Sequence, residues 1–347
     1  MRTPIQLAIA GAGLIGKRHI VSIAHCSNVE LTAIVDPNEM ARLHAEERGI
    51  PWYKSLSELF ESQVPDGIIL STPNQVHLEN GLECVAAKCP MLVEKPLASS
   101  ADEALVLVNA ARKAGVPILV GHHRRHNPMI QKAREVIADG RLGQLRTVHA
   151  NCWLFKPNEF FDEAPWRKEH GAGLISVNLV HDIDLIRYLC GDIVSVQAQA
   201  APSIRGYENE DVAVAALRFK SGALGTLNAS DMVVAPWSWE LTARENPAYP
   251  ATAQSCYLLG GSHGSLSLPD LTLWENNGDR SWWQPISTTT FPYPFSDPLT
   301  KQIIHFAAVI SRVEEPLISG EEGLKTLQVI EAIQNSAKSG ETIQLAS

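Results

Sequence analysis

The sequence predicts an α/β protein of two domains: a doubly wound parallel sheet first, then a second α/β region with a mostly antiparallel sheet. Three observations carry the expectation. Short β-branched apolar runs alternate with helix-period stretches from residue 5 to residue 121, as βαβ units require. A glycine turn, Gly11-Ala12-Gly13-Leu14-Ile15-Gly16, stands between the first run and the first helical stretch. Beyond residue 121 the texture changes to alternating segments separated by glycine turns. The 347 residues also exceed what one hydrophobic core usually serves. The boundary is expected near Gly121, giving domains over 1–121 and 122–347.

In chain order, strands are expected at Ile5–Ala10, Val29–Asp36, Gly67–Ser71, Met91–Glu94 and Ile118–Gly121. Helices are expected around Leu14–Ala24, Glu39–Arg48, Val76–Ala87 and Asp102–Ala114. The last has Ser99 or Ser100 as N-cap, Asp102 and Glu103 in its first turn, and Gly115 as its stop. One helix over Leu174–Leu189 precedes alternating segments at Val194–Ala200, Val212–Phe219 and Ala223–Ala229. These read as hairpins with one face on helices and the other open to solvent or a partner. Residues 231–257 and 275–298 show no period and read as long loops. A final helix, Glu321–Ala337, carries Leu324, Leu327, Ile330 and Ile333 on one face.

Composition excludes several classes. Hydrophobic residues are 45% of the chain and charged residues 19%, far from the balance of a disordered protein. With 29 Lys and Arg against 38 Asp and Glu, the net charge of −9 repels a phosphate backbone, so nucleic acid is not an expected partner. No apolar run reaches the roughly 20 residues that span a bilayer, and the start shows no signal-peptide pattern; a cytoplasmic protein without membrane partner is expected. The six cysteines form no CxxC pair and are expected reduced and buried. The run His122-His123-Arg124-Arg125-His126 lacks convergent geometry and an acid or cysteine, so no metal site is expected. No GxSxG elbow, P-loop or HExxH pattern is present.

The glycine turn sits in the context dinucleotide binding needs: strand, turn, helix, second strand, then Asp36, twenty residues beyond Gly16. Gly11 permits the turn, Gly13 lets the backbone approach a pyrophosphate, and Gly16 lets helix and strand pack closely. The N–H groups of Leu14, Ile15 and Gly16 open the helix toward the phosphates. Asp36 is expected to accept from the ribose hydroxyls and repel a 2′-phosphate, which favours NAD over NADP. A turn at Asp36-Pro37-Asn38 is an equally good structural use of that carboxylate. Glu94-Lys95-Pro96 follows at the carboxyl end of a strand, where open α/β sheets bind ligands.

These motifs together resemble the glucose-fructose oxidoreductase/inositol dehydrogenase (Gfo/Idh/MocA) family. The resemblance rests on Gly11 to His19, Ser71-Thr72-Pro73-Asn74-Gln75-Val76-His77, Glu94-Lys95-Pro96 and His181-Asp182-Ile183-Asp184. It spans the whole chain, including Gly320 to Lys325. It implies a Rossmann domain followed by an α/β domain with a large, open, mostly antiparallel sheet used for dimer or tetramer formation. It implies that Ser71, Thr72, Pro73, Asn74 and His77 line the dinucleotide, with Glu94 and Lys95 close to the nicotinamide. The family's lysine matches Lys95 and its active-site histidine His181. Where many members carry an Asp four residues before that histidine, this chain has Val177. Asn178 is then the polar residue on that helix face, beside His181. The stretch from His122 to Pro128 borders the substrate in the family, which brings in Arg124 and Asn127. Trp166-Arg167 matches a pair placed near the substrate.

The resemblance implies an NAD-dependent dehydrogenase of a secondary alcohol on a sugar, cyclitol, sugar acid or related cyclic diol, with His181 as base and Lys95 polarising the oxygen. A non-catalytic dinucleotide-binding sensor or co-regulator, and a ketone or imine reductase, are the alternatives. Trp237-Ser238-Trp239 and Trp282-Trp283 are expected over a sugar ring or in an oligomer interface.

Overall fold

Strands β1 (Ile5–Ala10), β2 (Val29–Val35), β3 (Trp52–Tyr53), β4 (Gly67–Leu70), β5 (Met91–Val93) and β6 (Ile118–Val120) form one parallel sheet in the order β3-β2-β1-β4-β5-β6. These are the β-branched runs of the sequence. They read as continuous apolar stretches because helices cover both faces, so the side chains of β4, β5 and β6 are all buried. The computed structural model describes residues 3–276 and 278–345. Helix Ala101–Ala114 is set by its ends: Ser100 Oγ accepts from the Glu103 amide at 3.2 Å, and Gly115 takes the left-handed conformation that stops it. Strand β3 and helix Leu56–Ser62 were not expected; each is too short to show a period.

A nine-stranded sheet follows, built from β7 (Leu145–Trp153), β8 (Ile193–Pro202), β9 (Glu210–Phe219), β10 (Leu224–Ser230), β11 (Tyr257–Gly261), β12 (Gly264–Leu268), β13 (Thr272–Asn276), β14 (Ile286–Thr290) and β15 (Ile343–Gln344). Its order is β14-β13-β12-β11-β7-β10-β9-β8-β15, antiparallel throughout except where β7 runs parallel to β10. Strict burial alternation along β9 matches the expected segment. The stretch 275–298, expected as loop, contains β14; its Ser and Thr side chains are largely exposed, so no apolar alternation marks it. The segment 231–257 is loop apart from a short helix, Trp239–Thr242, and Tyr257, which opens β11.

Two compact units result, Met1–Asn127 with Ser296–Leu327, and Pro128–Phe295 with Gln328–Ser347. A single division at Gly121 therefore misplaces the segment 296–327. Helix Pro298–Ile310 buries Ile303, Phe306 and Ala307 in the core of the first unit, and the Val120 amide donates to the Ile318 carbonyl at 2.9 Å beside β6. Sequence separation hid this, because the returning helix carries no label of the sheet it packs on. The long C-terminal helix Gly320–Ser339 contributes Leu324 and Leu327 to the first core, and Val329, Ile330 and Ile333 to the second.

Candidate active site

In the first unit the strand order reverses between β1 and β4, and a parallel sheet opens a crevice where neighbouring connections leave on opposite faces. The glycine turn follows β1 and Ser71-Thr72-Pro73-Asn74 follows β4. Gly11 has φ +89°, and a Cβ there would meet the Ser71 carbonyl at 2.5 Å. A Cβ on Gly16 would meet the Gly11 carbonyl oxygen at 2.0 Å, whereas one on Gly13 would meet nothing within 4 Å. Ser71 Oγ donates to the Ala10 and Gly11 carbonyls at 2.9 and 2.7 Å, tying the two loops together. Helix Leu14–Ala24 begins without a side-chain cap or an acid in its first turn, and Gly13 and Leu14 are exposed. Crowded at Gly11 and Gly16 but open over Gly13, with helix amides facing outward, the turn fits a dinucleotide pyrophosphate.

Asp36 serves the fold first. Its Oδ2 accepts from the Ala12 amide and its Oδ1 from the Asn38 amide, both at 2.8 Å. The carboxylate thus stands at the rim of the glycine turn, half-buried, and makes the turn at Asp36-Pro37-Asn38 as well. Thr72 Oγ1 donates to Asn80 Oδ1 at 3.0 Å; Pro73 is exposed and Asn74 half-buried. His77 is buried, its ring nitrogens 2.9 Å from the Pro96 and Thr72 carbonyls. Burial holds its imidazole below its ordinary value, against the carbonyls that face it. His77 thereby links the loops after β4 and β5.

Glu94 is buried, with Oε1 2.8 Å from Nε2 of the fully buried His19 and Oε2 accepting from the Lys95 amide at 3.1 Å. Burial alone would raise this carboxyl; the hydrogen bond and charge of His19, with His123 and Lys95 nearby, hold it down at about 2. Gly121 leaves room for it, since a Cβ there would meet the Glu94 side chain and backbone at 2.9 Å. Both Glu94 oxygens are thus used inside the protein, and half-buried Lys95 is fixed at the carboxyl end of β5. Burial, then the Arg124, Arg18 and Lys95 cations, hold the His123 imidazole down at about 3 against the opposing pull of Glu94. His19 carried a signal that went unused: it lies three residues after Gly16, on the buried helix face.

The short helix His123–His126 buries Arg124 and the following Asn127 in the first unit. Arg125 pairs with Glu322 at 3.2 Å, and His126 Nε2 lies 2.8 Å from His305 Nδ1. Among the described residues, no group of three His, Cys, Asp or Glu gathers to hold a metal ion. All six cysteines are buried and unbridged.

In the second unit the helix expected over Leu174–Leu189 is broken at Asn178, into Leu174–Val177 and Leu179–Cys190. Gly173 admits the Glu210 carboxylate, whose Oε1 accepts from the Ile175 amide at 2.8 Å, so a carboxylate caps the first piece. At the break the His181 amide donates to the Asn178 carbonyl at 3.1 Å, one tight turn away. The Asn178 side chain is drawn to Lys156, whose Nζ donates to its Oδ1 at 2.7 Å. His181 is half-buried, whereas Asp182 and Asp184 behind it are buried, Asp182 accepting from Tyr257 Oη. Trp166 is exposed, while half-buried Arg167 lies over the Phe160 ring at 3.9 Å. Trp239, expected at a ligand or an interface, is core, stacked on Tyr257. Trp282 and Trp283 are exposed.

A parallel sheet in this order with a fitting glycine turn defines a dinucleotide-binding Rossmann domain. Residues 5–122 match the description "Oxidoreductase family, NAD-binding Rossmann fold" and residues 130–266 match "GFO/IDH/MocA C-terminal domain". The chain belongs to the Gfo/Idh/MocA family. It is 32% identical over 193 residues to the rhizopine catabolism protein MocA of Rhizobium meliloti, covering 54% of this chain and 58% of that protein. It is 25% identical over 357 residues to scyllo-inositol 2-dehydrogenase (NAD(+)) of Bacillus subtilis (strain 168), covering 99% and 97%. The WlbA dehydrogenase of Bordetella pertussis, solved in complex with NADH and UDP-GlcNAcA, superposes with a TM-score of 0.80 at 28% identity, over 99% of each chain.

Proposed function

We propose that the protein is an NAD-dependent dehydrogenase of a secondary alcohol on a sugar, cyclitol, sugar acid or related cyclic diol. The observation that carries the reading is Lys95, fixed by the buried His19–Glu94 pair at the carboxyl end of a strand of the NAD-binding sheet. Likeness to inositol dehydrogenases and to a D-apiose dehydrogenase supports it. When bound, NAD+ supplies the hydride acceptor. In the balanced reaction the alcohol carbon loses a hydride and its oxygen a proton, leaving a ketone, NADH and H+. His181 takes the hydroxyl proton, a task suited to an imidazole with an ordinary pKa near ~6.5. Lys95 donates to the oxygen and stabilises its developing negative charge. Asp36 and the glycine-turn amides hold the dinucleotide; Ser71, Thr72, Pro73, Asn74 and His77 form its opposite wall.

Val177, standing where many relatives have an Asp, favours a second reading: a dinucleotide-binding sensor. A screen for NADH formation over sugars, cyclitols, sugar acids and cyclic diols decides. Turnover of at least one class is expected; tight NAD binding with no turnover in either direction would establish the sensor.

The outer face of the nine-stranded sheet exposes Val214, Leu224, Leu258 and Trp274, which supports a homodimer or homotetramer. A monomer mass in light scattering would remove that proposal. The six unbridged thiols support a cytoplasmic location. No described helix is long and apolar enough to cross a membrane.

A further inference from the structure

Strand β14 closes one end of the nine-stranded sheet and β15 closes the other. The two edges are protected unequally. β15 is two residues long and offers little to pair with. β14 runs for five, Ile286-Ser287-Thr288-Thr289-Thr290, in unbroken antiparallel register with β13. It holds no charge, proline or bulge, the devices by which sheet proteins keep an edge from pairing with another chain. Four of its residues are exposed, on both faces of the sheet.

The backbone decides which of its groups stay open. The Phe291 amide donates to the Leu271 carbonyl at 3.2 Å, so the pair one step beyond the strand is hydrogen-bonded. Bonded pairs alternate along an antiparallel ladder, which makes Thr289 with Leu273 and Ser287 with Glu275 the pairs bonded to β13. Ile286, Thr288 and Thr290 therefore turn their N–H and C=O groups to the outer side. Among the described residues no strand lies beyond them.

We infer that β14 is a dimerisation edge, pairing antiparallel with β14 of a second copy about a two-fold axis at Thr288. Self-complementarity identifies the occupant. With the axis there, Thr288 bonds its own counterpart while Ile286 and Thr290 bond each other's, and every outward group of both strands is used. An axis at Ser287 or Thr289 leaves part of each edge unpaired. No like charges meet, because the strand has none, and threonine facing threonine is a favourable cross-strand pair. The turn before the strand exposes Trp282 at 89% and Trp283 at 83%, and the segment after it exposes Phe295 at 84%. Antiparallel pairing sets the start of one strand beside the end of the other, so these rings flank the joint at both ends. At roughly 200 Å² a ring, the six from two copies carry the joint past the ~1,000 Å² of a stable interface. This contact lengthens the sheet, whereas packing through Leu224 and Leu258 would cover its outer face. It depends on no assignment of substrate or cofactor.

The test is the mass of the full-length protein by sedimentation across a concentration series. The parent should self-associate, and Thr288→Pro should weaken that association about a hundredfold or more by removing both central donors. Proline is tolerated there in a single copy, since an N–H on the outer side is not part of the β13–β14 ladder. Thr288→Lys sets two ammonium groups against each other at the axis and should act alike. Leu258→Glu, on the outer face, should leave at least a dimer. Thr288→Cys, exposed to oxidised glutathione, should form a disulfide-linked dimer, because a bonded cross-strand pair holds its Cα atoms about 5.5 Å apart. Leu258→Cys should not, and the six native thiols are buried. A monomeric parent would overturn the inference and leave the edge to an extended segment of another protein. So would association unchanged in both Thr288→Pro and Thr288→Lys, or cross-linking through Leu258→Cys and not through Thr288→Cys.

Discussion

The two units place their chemically important side chains by opposite means. In the first, Gly11, Ser71 and Lys95 all follow the carboxyl ends of neighbouring strands, so a parallel sheet alone brings them to one edge. In the second, Asn178 and His181 sit at a helix break, and the groups around them, Lys156, Asp231 and Arg205, come from loops after β7, β10 and β8. A parallel sheet turns local motifs into a site through topology. A mixed sheet with long connections gathers charges that meet only after folding. The first unit is the one whose residues 5–122 match the NAD-binding Rossmann fold.

That division is tested most severely by removing one residue from each side. Lys95→Ala and His181→Ala should each lower turnover by about 10² to 10⁴, the worth of a positioned proton-transfer or polarising group. NAD binding should survive in both, because the glycine turn and Asp36 remain. Turnover within a few-fold of the parent in either folded variant would strike that residue from the mechanism.

How much was legible in the sequence follows the same line. The glycine turn, β1 and the helix Leu14–Ala24 were readable to the residue, since Gly11 and Gly16 occupy places where a Cβ would collide with backbone. Ser100 and Gly115 marked a helix because caps are local chemistry. Helix Pro298–Ile310 was not expected, and its apolar face says only that it packs, not that it packs in the first unit. Lys156 was silent for a related reason: a lysine in a loop reads as solvated, and only the fold reveals that Asn178 and Asp231 have enclosed it. The break at Asn178 was likewise invisible, as Leu174 to Cys190 keeps an apolar helical period on both sides of it.

The buried His19–Glu94 pair gives the next effect in size. Glu94→Gln should destabilise the first unit by about 3 kcal/mol, the cost of breaking a buried pair by altering one partner. The folded carboxyl is held at about 2 against an ordinary 4.5. As pH falls the unfolded chain therefore takes up that proton first, and the stabilisation, complete above pH 4.5, is lost down to about pH 2. His123, held at about 3 against an ordinary 6.5, acts in the same direction across a higher window. Denaturant midpoints measured from pH 7 to pH 3 should fall throughout in the parent. Below pH 4.5 they should fall less steeply in Glu94→Gln; an identical slope there would mean that Glu94 is not held ionised by its neighbours.

The smallest effect probes whether Asp36 does more than fold the turn. Its two oxygens already accept from the Ala12 and Asn38 amides, so part of the loss in Asp36→Ala, the loosening of the glycine turn, is shared by NAD and NADP. Only the ratio of the two affinities reports on the ribose. Asp36→Asn keeps an acceptor for the turn yet removes the negative charge that opposes a 2′-phosphate. The NAD-to-NADP preference should fall about tenfold in both variants, equivalent to about 1.4 kcal/mol. A ratio that stays put while both affinities drop would confine Asp36 to the turn and leave the choice of cofactor to residues elsewhere on the crevice.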